Sequence, residues 1–174
     1  MKVNYIEGDL IKLALDGKFD VIGHGCNCFS TMGAGIAVGM AKTFGCDKFD
    51  MELIGASVEK LGNVDHQTFV LGENAHWSLR DGKNNKKEPE LVVCNLYTQY
   101  GLGGKFGNTP YGIPFDYEAM TMCMRKLNVM FKGKHIGLPM IGAGLAMGDW
   151  KKIEGIIETE LRNCTCTVVI YKPR

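Results

Sequence analysis

The residues best equipped for chemistry lie in one run of glycines and small polar side chains: Gly23-His24-Gly25-Cys26-Asn27-Cys28-Phe29-Ser30-Thr31-Met32-Gly33-Ala34-Gly35-Ile36-Ala37. Glycine admits positive φ and lets another molecule come close, because no Cβ stands in the way. The run follows the apolar pair Val21-Ile22 and enters a helix-like segment at Ile36. A helix start presents unpaired N–H groups and the positive end of the helix dipole, a combination that binds phosphate or another anion. The expectation is a loop that holds a nucleotide diphosphate; taken alone, the loop suits a tight strand-to-helix turn with nothing bound equally well. Asn27 carries an amide that both donates and accepts, which suits a ribose hydroxyl. His24 is either a general acid or base near neutral pH or a hydrogen-bonded core histidine.

A second loop, Ile141-Gly142-Ala143-Gly144-Leu145-Ala146-Met147-Gly148-Asp149-Trp150, has the same character and also runs into a helical pattern. Its backbone amides suit phosphate. Asp149 serves as the helix N-cap or as a carboxylate facing a ligand, and the roles are compatible. Near the N-terminus, Gly8-Asp9-Leu10 offers a carboxylate to an exocyclic amine, or simply another cap. His24-x-Cys26-x-Cys28 and Cys164-x-Cys166 do not have the C-x-x-C spacing of zinc sites, so no metal is expected. There is no Walker lysine, no G-x-S-x-G and no Rossmann G-x-G-x-x-G.

These loops need elements to hold them. Residues 3–7, 19–26, 67–71, 91–98, 135–140 and 165–171 read as strands, the second with the composition of a strand buried on both faces. Residues 10–15, 36–44, 47–61 and 115–131 read as helical. In the last of these Tyr117, Met120, Met124, Leu127 and Phe131 form one apolar stripe. Asp149 opens a final helix with Trp150, Ile153, Ile157 and Leu161 on one face. Residues 74–90 read as a polar hairpin or loop excursion, and residues 101–107 as a third glycine-rich loop. Alternating strands and helices predict an α/β three-layer sandwich on a mixed, mostly parallel sheet. Ligands of such sheets sit at the carboxyl ends of the strands, where all three glycine loops fall.

The 174 residues suit a single domain, 1–174. A formal charge of +1 without basic or acidic blocks gives no indication of nucleic acid and favours a small-molecule partner. Seven cysteines in a chain with an ordinary core require no disulfide framework, so a reducing, cytoplasmic compartment is expected. The first residues lack the apolar run of a signal peptide, and no stretch approaches a membrane span. Oligomeric state is not encoded in any feature of the chain.

Four strings together resemble a macro domain over nearly the full length: Glu7-Gly8-Asp9-Leu10-Ile11; His24-Gly25-Cys26-Asn27-Cys28 running into Met32-Gly33-Ala34-Gly35-Ile36-Ala37; Cys94-Asn95-Leu96-Tyr97-Thr98-Gln99; and Leu138-Pro139-Met140 followed by the loop to Trp150. The resemblance implies an α/β/α sandwich with an ADP-ribose pocket and no cofactor. Asp9 would take the adenine amine beside the backbone of Leu10 and Ile11. Asn27 would meet the distal ribose. Gly33, Ala34, Gly35 and Ile36 would form one wall of the diphosphate site, and Gly142, Ala143, Gly144, Leu145, Ala146 and Met147 the other. Within the family the strings look most like the ADP-ribose-1″-phosphate phosphatase branch, which implies hydrolysis to ADP-ribose and phosphate with His24, Asn27 and Asp149 as the reacting set. The same pocket would serve O-acetyl-ADP-ribose deacetylation, removal of ADP-ribose from protein or nucleic acid, or a non-catalytic reader. The terminal ADP-ribose glycohydrolase branch is similar around residues 32–37. Its lysine is replaced here by Gln99-Tyr100 and its last-loop aspartate by Ala146, which disfavours a lysine-adduct mechanism.

Overall fold

The computed structural model describes residues 1–49, 56–71, 77–79, 89–102, 109–110 and 112–173. Strands β1 (Asn4–Gly8), β2 (Val21–Asn27), β3 (Val64–Leu71), β4 (Trp77–Leu79), β5 (Glu90–Gln99), β6 (His135–Pro139) and β7 (Thr165–Tyr171) form one sheet in the order β1-β7-β6-β2-β5-β3-β4. The first five in that order are mutually parallel; β3 is antiparallel to β5 and to β4. Helices α1 (Leu10–Leu15), α2 (Ile36–Phe44), α3 (Tyr117–Met130) and α4 (Trp150–Glu160) cover it.

The two faces of the sheet bury different clusters, because successive side chains of a strand point to opposite sides. Ile22, Leu91, Val93 and Val169 pack with Leu10 and Ala14 of α1 and Met40 and Phe44 of α2. Val21, Leu96, Ile136, Leu138 and Val168 pack with Met120, Met124 and Leu127 of α3 and Ile153 and Ile157 of α4. The result is the α/β/α sandwich with a mixed, mostly parallel sheet. β2 is buried on both faces along most of its length, as its near-continuous apolar and small residues require.

Three helices start on an aspartate whose side chain accepts a hydrogen bond from the first turn: Asp9 from the Lys12 amide, Asp116 from Ala119 and Asp149 from Lys151. α2 starts differently, on Gly35, with no side-chain cap.

Residues 47–61 are not one helix. Cys46–Lys48 and Val58–Lys60 form separate single 3-10 turns, and Ser57 between them is extended and caps the second through the Glu59 amide. Residues 50–55 lie outside the described residues, as do 72–76, 80–88 and 103–108, which take in much of the expected excursion and most of the third glycine loop. Within the excursion, β4 pairs antiparallel with β3 from Phe69↔Leu79 to Leu71↔Trp77, so that part is a hairpin.

Candidate functional site

A cavity of about 720 Å³ opens at the carboxyl ends of β1, β7 and β6, beside the start of α2. It is lined by Gly8, Asp9, Leu10 and Ile11 from the β1–α1 junction, and by Gly35, Ile36 and Gly39 from α2 and its entry. Pro139, Met140, Ala143 and Gly144 line it from the end of β6 and the loop beyond, and Val169, Ile170 and Tyr171 from the end of β7. Of the residues expected to hold a ligand, it brings together Asp9, Leu10, Ile11, Gly35, Ile36, Ala143 and Gly144.

Each wall follows from local chemistry. Gly35 has φ 59° and ψ −148°, a conformation closed to residues with a Cβ, and a Cβ built on it would meet nothing within 4 Å. Its side chain is therefore missing for backbone reasons, and the space beside it is open to a ligand. The opposite loop is folded on itself: Gly148 donates its N–H to the Gly142 carbonyl at 2.6 Å, and Met147 donates to Gly144 at 2.9 Å. Gly142 has φ 74°, and a Cβ there would strike the ring of Phe115. Gly144 and Leu145 are exposed, and their amides donate to no acceptor among the described residues. Met147, with φ 62°, and Ser30, with φ 55°, are the non-glycine residues of the described chain held at positive φ; one sits on each glycine loop. Such strain persists where the surroundings over-determine it and clusters at binding sites.

Gly33 and Ala34 are exposed on the loop that reaches Gly35, and Gly142, Leu145, Ala146 and Met147 belong to the opposite loop, but none of the six lines the cavity itself. Ala146 is buried and accepts the Phe115 amide through its carbonyl. Asp149 is exposed, caps α4 at 2.9 Å and takes its backbone partner in Tyr117, whose hydroxyl accepts the Asp149 amide.

Asn27 begins where β2 shifts register against β5, Cys26 pairing Tyr97 and Asn27 pairing Gln99. Its amide is spent on its own turn: Oδ1 accepts from the Phe29 and Thr31 backbone at 3.0 and 3.3 Å, and Nδ2 donates to the Thr31 carbonyl and hydroxyl at 3.0 and 2.9 Å. In this arrangement Asn27 shapes the loop rather than offering its amide to a ribose.

His24 is corrected from proton handler to core residue. It is 0% exposed, with Nε2 2.8 Å from Asn95 Oδ1. Asn95 in turn donates to the Cys46 carbonyl at 2.7 Å, tying β2 and β5 to the turn after α2. Burial pulls the imidazole pKa down to about 4 against the opposing effect of the Asn95 contact, so the ring is neutral at physiological pH. Cys26 and Cys46 pack 3.5 and 3.6 Å from the same nitrogen. All seven thiols are free and buried, and burial raises their pKa. Among the described residues no group of three His, Cys, Asp or Glu side chains is placed to hold a metal, and no helix is long and apolar enough to cross a membrane.

The sequence reading missed Gly39, Pro139, Met140, Val169, Ile170 and Tyr171. A usable signal existed for the last three, which end a strand of a parallel sheet at its ligand-binding edge. Tyr171 is 68% exposed and lines the cavity.

A parallel-centred sheet with an anion-friendly helix start and a facing glycine loop defines a fold class, and solved structures agree on it: the fold is that of a macro domain. The macrodomain of Thermus aquaticus DarG matches with a TM-score of 0.57 at 14% identity, covering 98% of each chain. Thermosipho africanus DarTG in complex with ADP-ribose matches with a TM-score of 0.63 at 14% identity, over 99% of this chain and 42% of that one. A protein of unknown function from Bacteroides thetaiotaomicron matches at 25% identity and a TM-score of 0.64 over 98% of both chains. In sequence the chain is 33% identical over 182 positions, 99% of each chain, to the uncharacterized 17.5 kDa protein in the tk-vs intergenic region of Enterobacteria phage T4, and it belongs to the family of that protein. No protein-family model matches the sequence.

Proposed function

We propose that this chain binds ADP-ribose along the carboxyl edge of its sheet and hydrolyses ADP-ribose-1″-phosphate to ADP-ribose and phosphate. The observation that carries the reading is the pairing, in one cavity, of Asp9 at the β1 end with the uncapped start of α2 and the Ala143–Gly144 backbone facing it. Asp9 accepts from the adenine amine, with Tyr171 presenting its ring at the same end. The diphosphate lies against the first amides of α2 and the amides of Gly144 and Leu145, where fixed N–H dipoles meet its charge. The distal ribose then points toward the turn built on Asn27. The bound ADP-ribose of the Thermosipho neighbour supports the ligand class.

Hydrolysis adds water to phosphorus, breaks the bond to the 1″ oxygen and leaves a proton for the ribose hydroxyl. Positioning of the two ends supplies much of the rate. Asp149 is the carboxylate left to carry the proton, since His24 is neutral and enclosed in the core. The test is phosphate release from ADP-ribose-1″-phosphate, run beside an ADP-ribosylated protein and O-acetyl-ADP-ribose, with calorimetry of ADP-ribose. Asp149→Ala is expected to lower turnover while leaving ADP-ribose affinity in place. Tight binding without turnover on any substrate would establish a reader instead. That second reading is favoured by one observation: among the described residues Asp9 is the one carboxylate lining the cavity, and on this reading it lies at the adenine end. Absence of ADP-ribose binding would overturn both.

A further inference from the structure

Helix α2 carries a glycine that its own backbone does not call for. Gly39 is the fourth residue of Ile36–Phe44 and does not belong to the glycines held at positive φ. A glycine inside a helix weakens it relative to alanine, so the position needs another reason. A neighbour supplies one. A Cβ built on Gly39 would stand 2.9 Å from Cδ1 of Ile11, closer than packed carbons approach. Among the described residues that methyl is the one atom outside the helix that such a Cβ would meet within 4 Å. Ile11 thus occupies the space that a side chain at position 39 would take.

Gly39 and Ile11 both line the cavity. Ile11 lies two residues past Asp9, the N-cap of α1. Gly39 lies four residues beyond Gly35, about 6 Å along the axis from the uncapped helix start. The contact therefore joins the segment that carries Asp9 to a part of α2 set back from its anion-binding end. The seat of the methyl matters because its alternatives are few. Ile11 packs on a cluster in which Leu10, Ala14, Met40 and Phe44 are exposed by 3% or less. A core at that density takes in a relocated methyl only with strain. The open direction is the cavity that Ile11 lines.

Resting on the ADP-ribose reading of the cleft, we propose that Gly39 is a specificity-determining residue: by seating the Ile11 methyl against α2, it keeps the base end of the cavity deep enough for a purine. With a Cβ at position 39 the methyl turns into the cavity and leaves room for a single ring. Adenine and cytosine both carry an exocyclic amine for Asp9, so that hydrogen bond does not tell them apart, whereas depth does. The glycine is then a case of helix stability given up for the shape of a site.

The experiment measures dissociation constants by calorimetry for AMP, CMP, ribose 5-phosphate and ADP-ribose, with thermal melting of each protein. The proteins are wild type, Gly39→Ala, Ile11→Val and the double variant, the valine removing the Cδ1 methyl. Wild type is expected to favour AMP over CMP. Gly39→Ala should weaken AMP and ADP-ribose about tenfold, the scale of one methyl forced into a fitted site, and move CMP and ribose 5-phosphate less than about twofold. Its melting temperature should equal or exceed that of wild type, because a helix glycine is gone. In the Ile11→Val background the same alanine should cost AMP less than about threefold, since the methyl it displaces is absent. An unchanged ratio of AMP to CMP affinity in Gly39→Ala overturns the proposal. So does an equal loss for all four ligands, or a full tenfold loss of AMP in the Ile11→Val background. Gly39→Ala that melts well below wild type or does not fold places the displaced methyl in the core and refutes it too. Wild type that binds AMP and CMP alike sinks this proposal only; wild type that binds neither AMP nor ADP-ribose sinks the ADP-ribose reading with it.

Discussion

Lowering the pH toward 4 strips the fold of the contribution made by His24. Its folded pKa of about 4 lies below the ordinary histidine value of 6.5. The unfolded chain therefore takes up the extra proton first. The sign is that of a group kept neutral: the stabilisation is complete above about pH 6.5 and is lost as pH falls from there to about 4. Across that window the loss runs at about 1.4 kcal/mol per pH unit and reaches roughly 3 kcal/mol. The assay is urea unfolding in half-unit steps from pH 7.5 to 4 for wild type and His24→Gln. The difference between the two curves removes the carboxylates and the other histidines, which both proteins share. Near neutrality the variant should be less stable by roughly 1–3 kcal/mol, because the buried Asn95 loses its ring partner. That gap should close as the pH approaches 4. Parallel curves for the two proteins, or an imidazole resonance of His24 titrating near 6.5, would refute the argument. Folded His24→Gln should bind ADP-ribose about as wild type does, since the ring is enclosed away from the cavity.

Two further substitutions separate the walls of the site from its ligand contacts. Gly142→Ala sets a Cβ into the Phe115 ring at a positive φ, so thermal or chemical unfolding should show a loss above about 2 kcal/mol; a change within about 0.5 kcal/mol would mean that the loop relaxes freely. Asp9→Asn should keep the cap on α1, because asparagine caps about as well as aspartate, with stability within about 0.5 kcal/mol. It should weaken AMP and ADP-ribose several-fold alike while leaving ribose-5-phosphate unchanged; calorimetry that finds no effect on AMP removes Asp9 from the adenine end.

The elements that could be read from the chain are those whose signal is local. β7 carries a run of β-branched residues, α3 an apolar stripe at helical spacing, and the loops ending at Gly35 and Gly148 lie between strand and helix. What escaped depends on distant partners. His24 looks reactive until Asn95, 71 positions away, closes over it. Asn27 looks available until its five side-chain hydrogen bonds within the turn are counted. Lys60 sits in a stretch that reads as helix, and its burial depends on partners distant in sequence, Ser30 and Tyr97 among them. The break at Ser57 is also a tertiary outcome, since Ser57 donates its amide to the Cys28 carbonyl at 3.4 Å instead of continuing a helix.

The strand order has a consequence for when the cavity comes into being. β7, the last strand of the chain, is inserted between β1, the first, and β6. Among the described residues β7 is the strand that pairs with β1, so the strand leading into Asp9 takes its place in the sheet when residues 165–171 dock, and pairs such as Asn4↔Thr167 join opposite ends of the chain. Such long-range closures are slow steps, because the loop entropy is lost before the contacts form. Within the rest of the sheet β6 and β7, and β5 and β3, are near neighbours in sequence, whereas β2 meets β6 through the distant pair Val21↔Ile136. A chain without its final strand would lose the partner of both β1 and β6 together with the core side chains of Cys166, Val168 and Val169, and on the proposed reading it would lose the adenine end of the cavity as well.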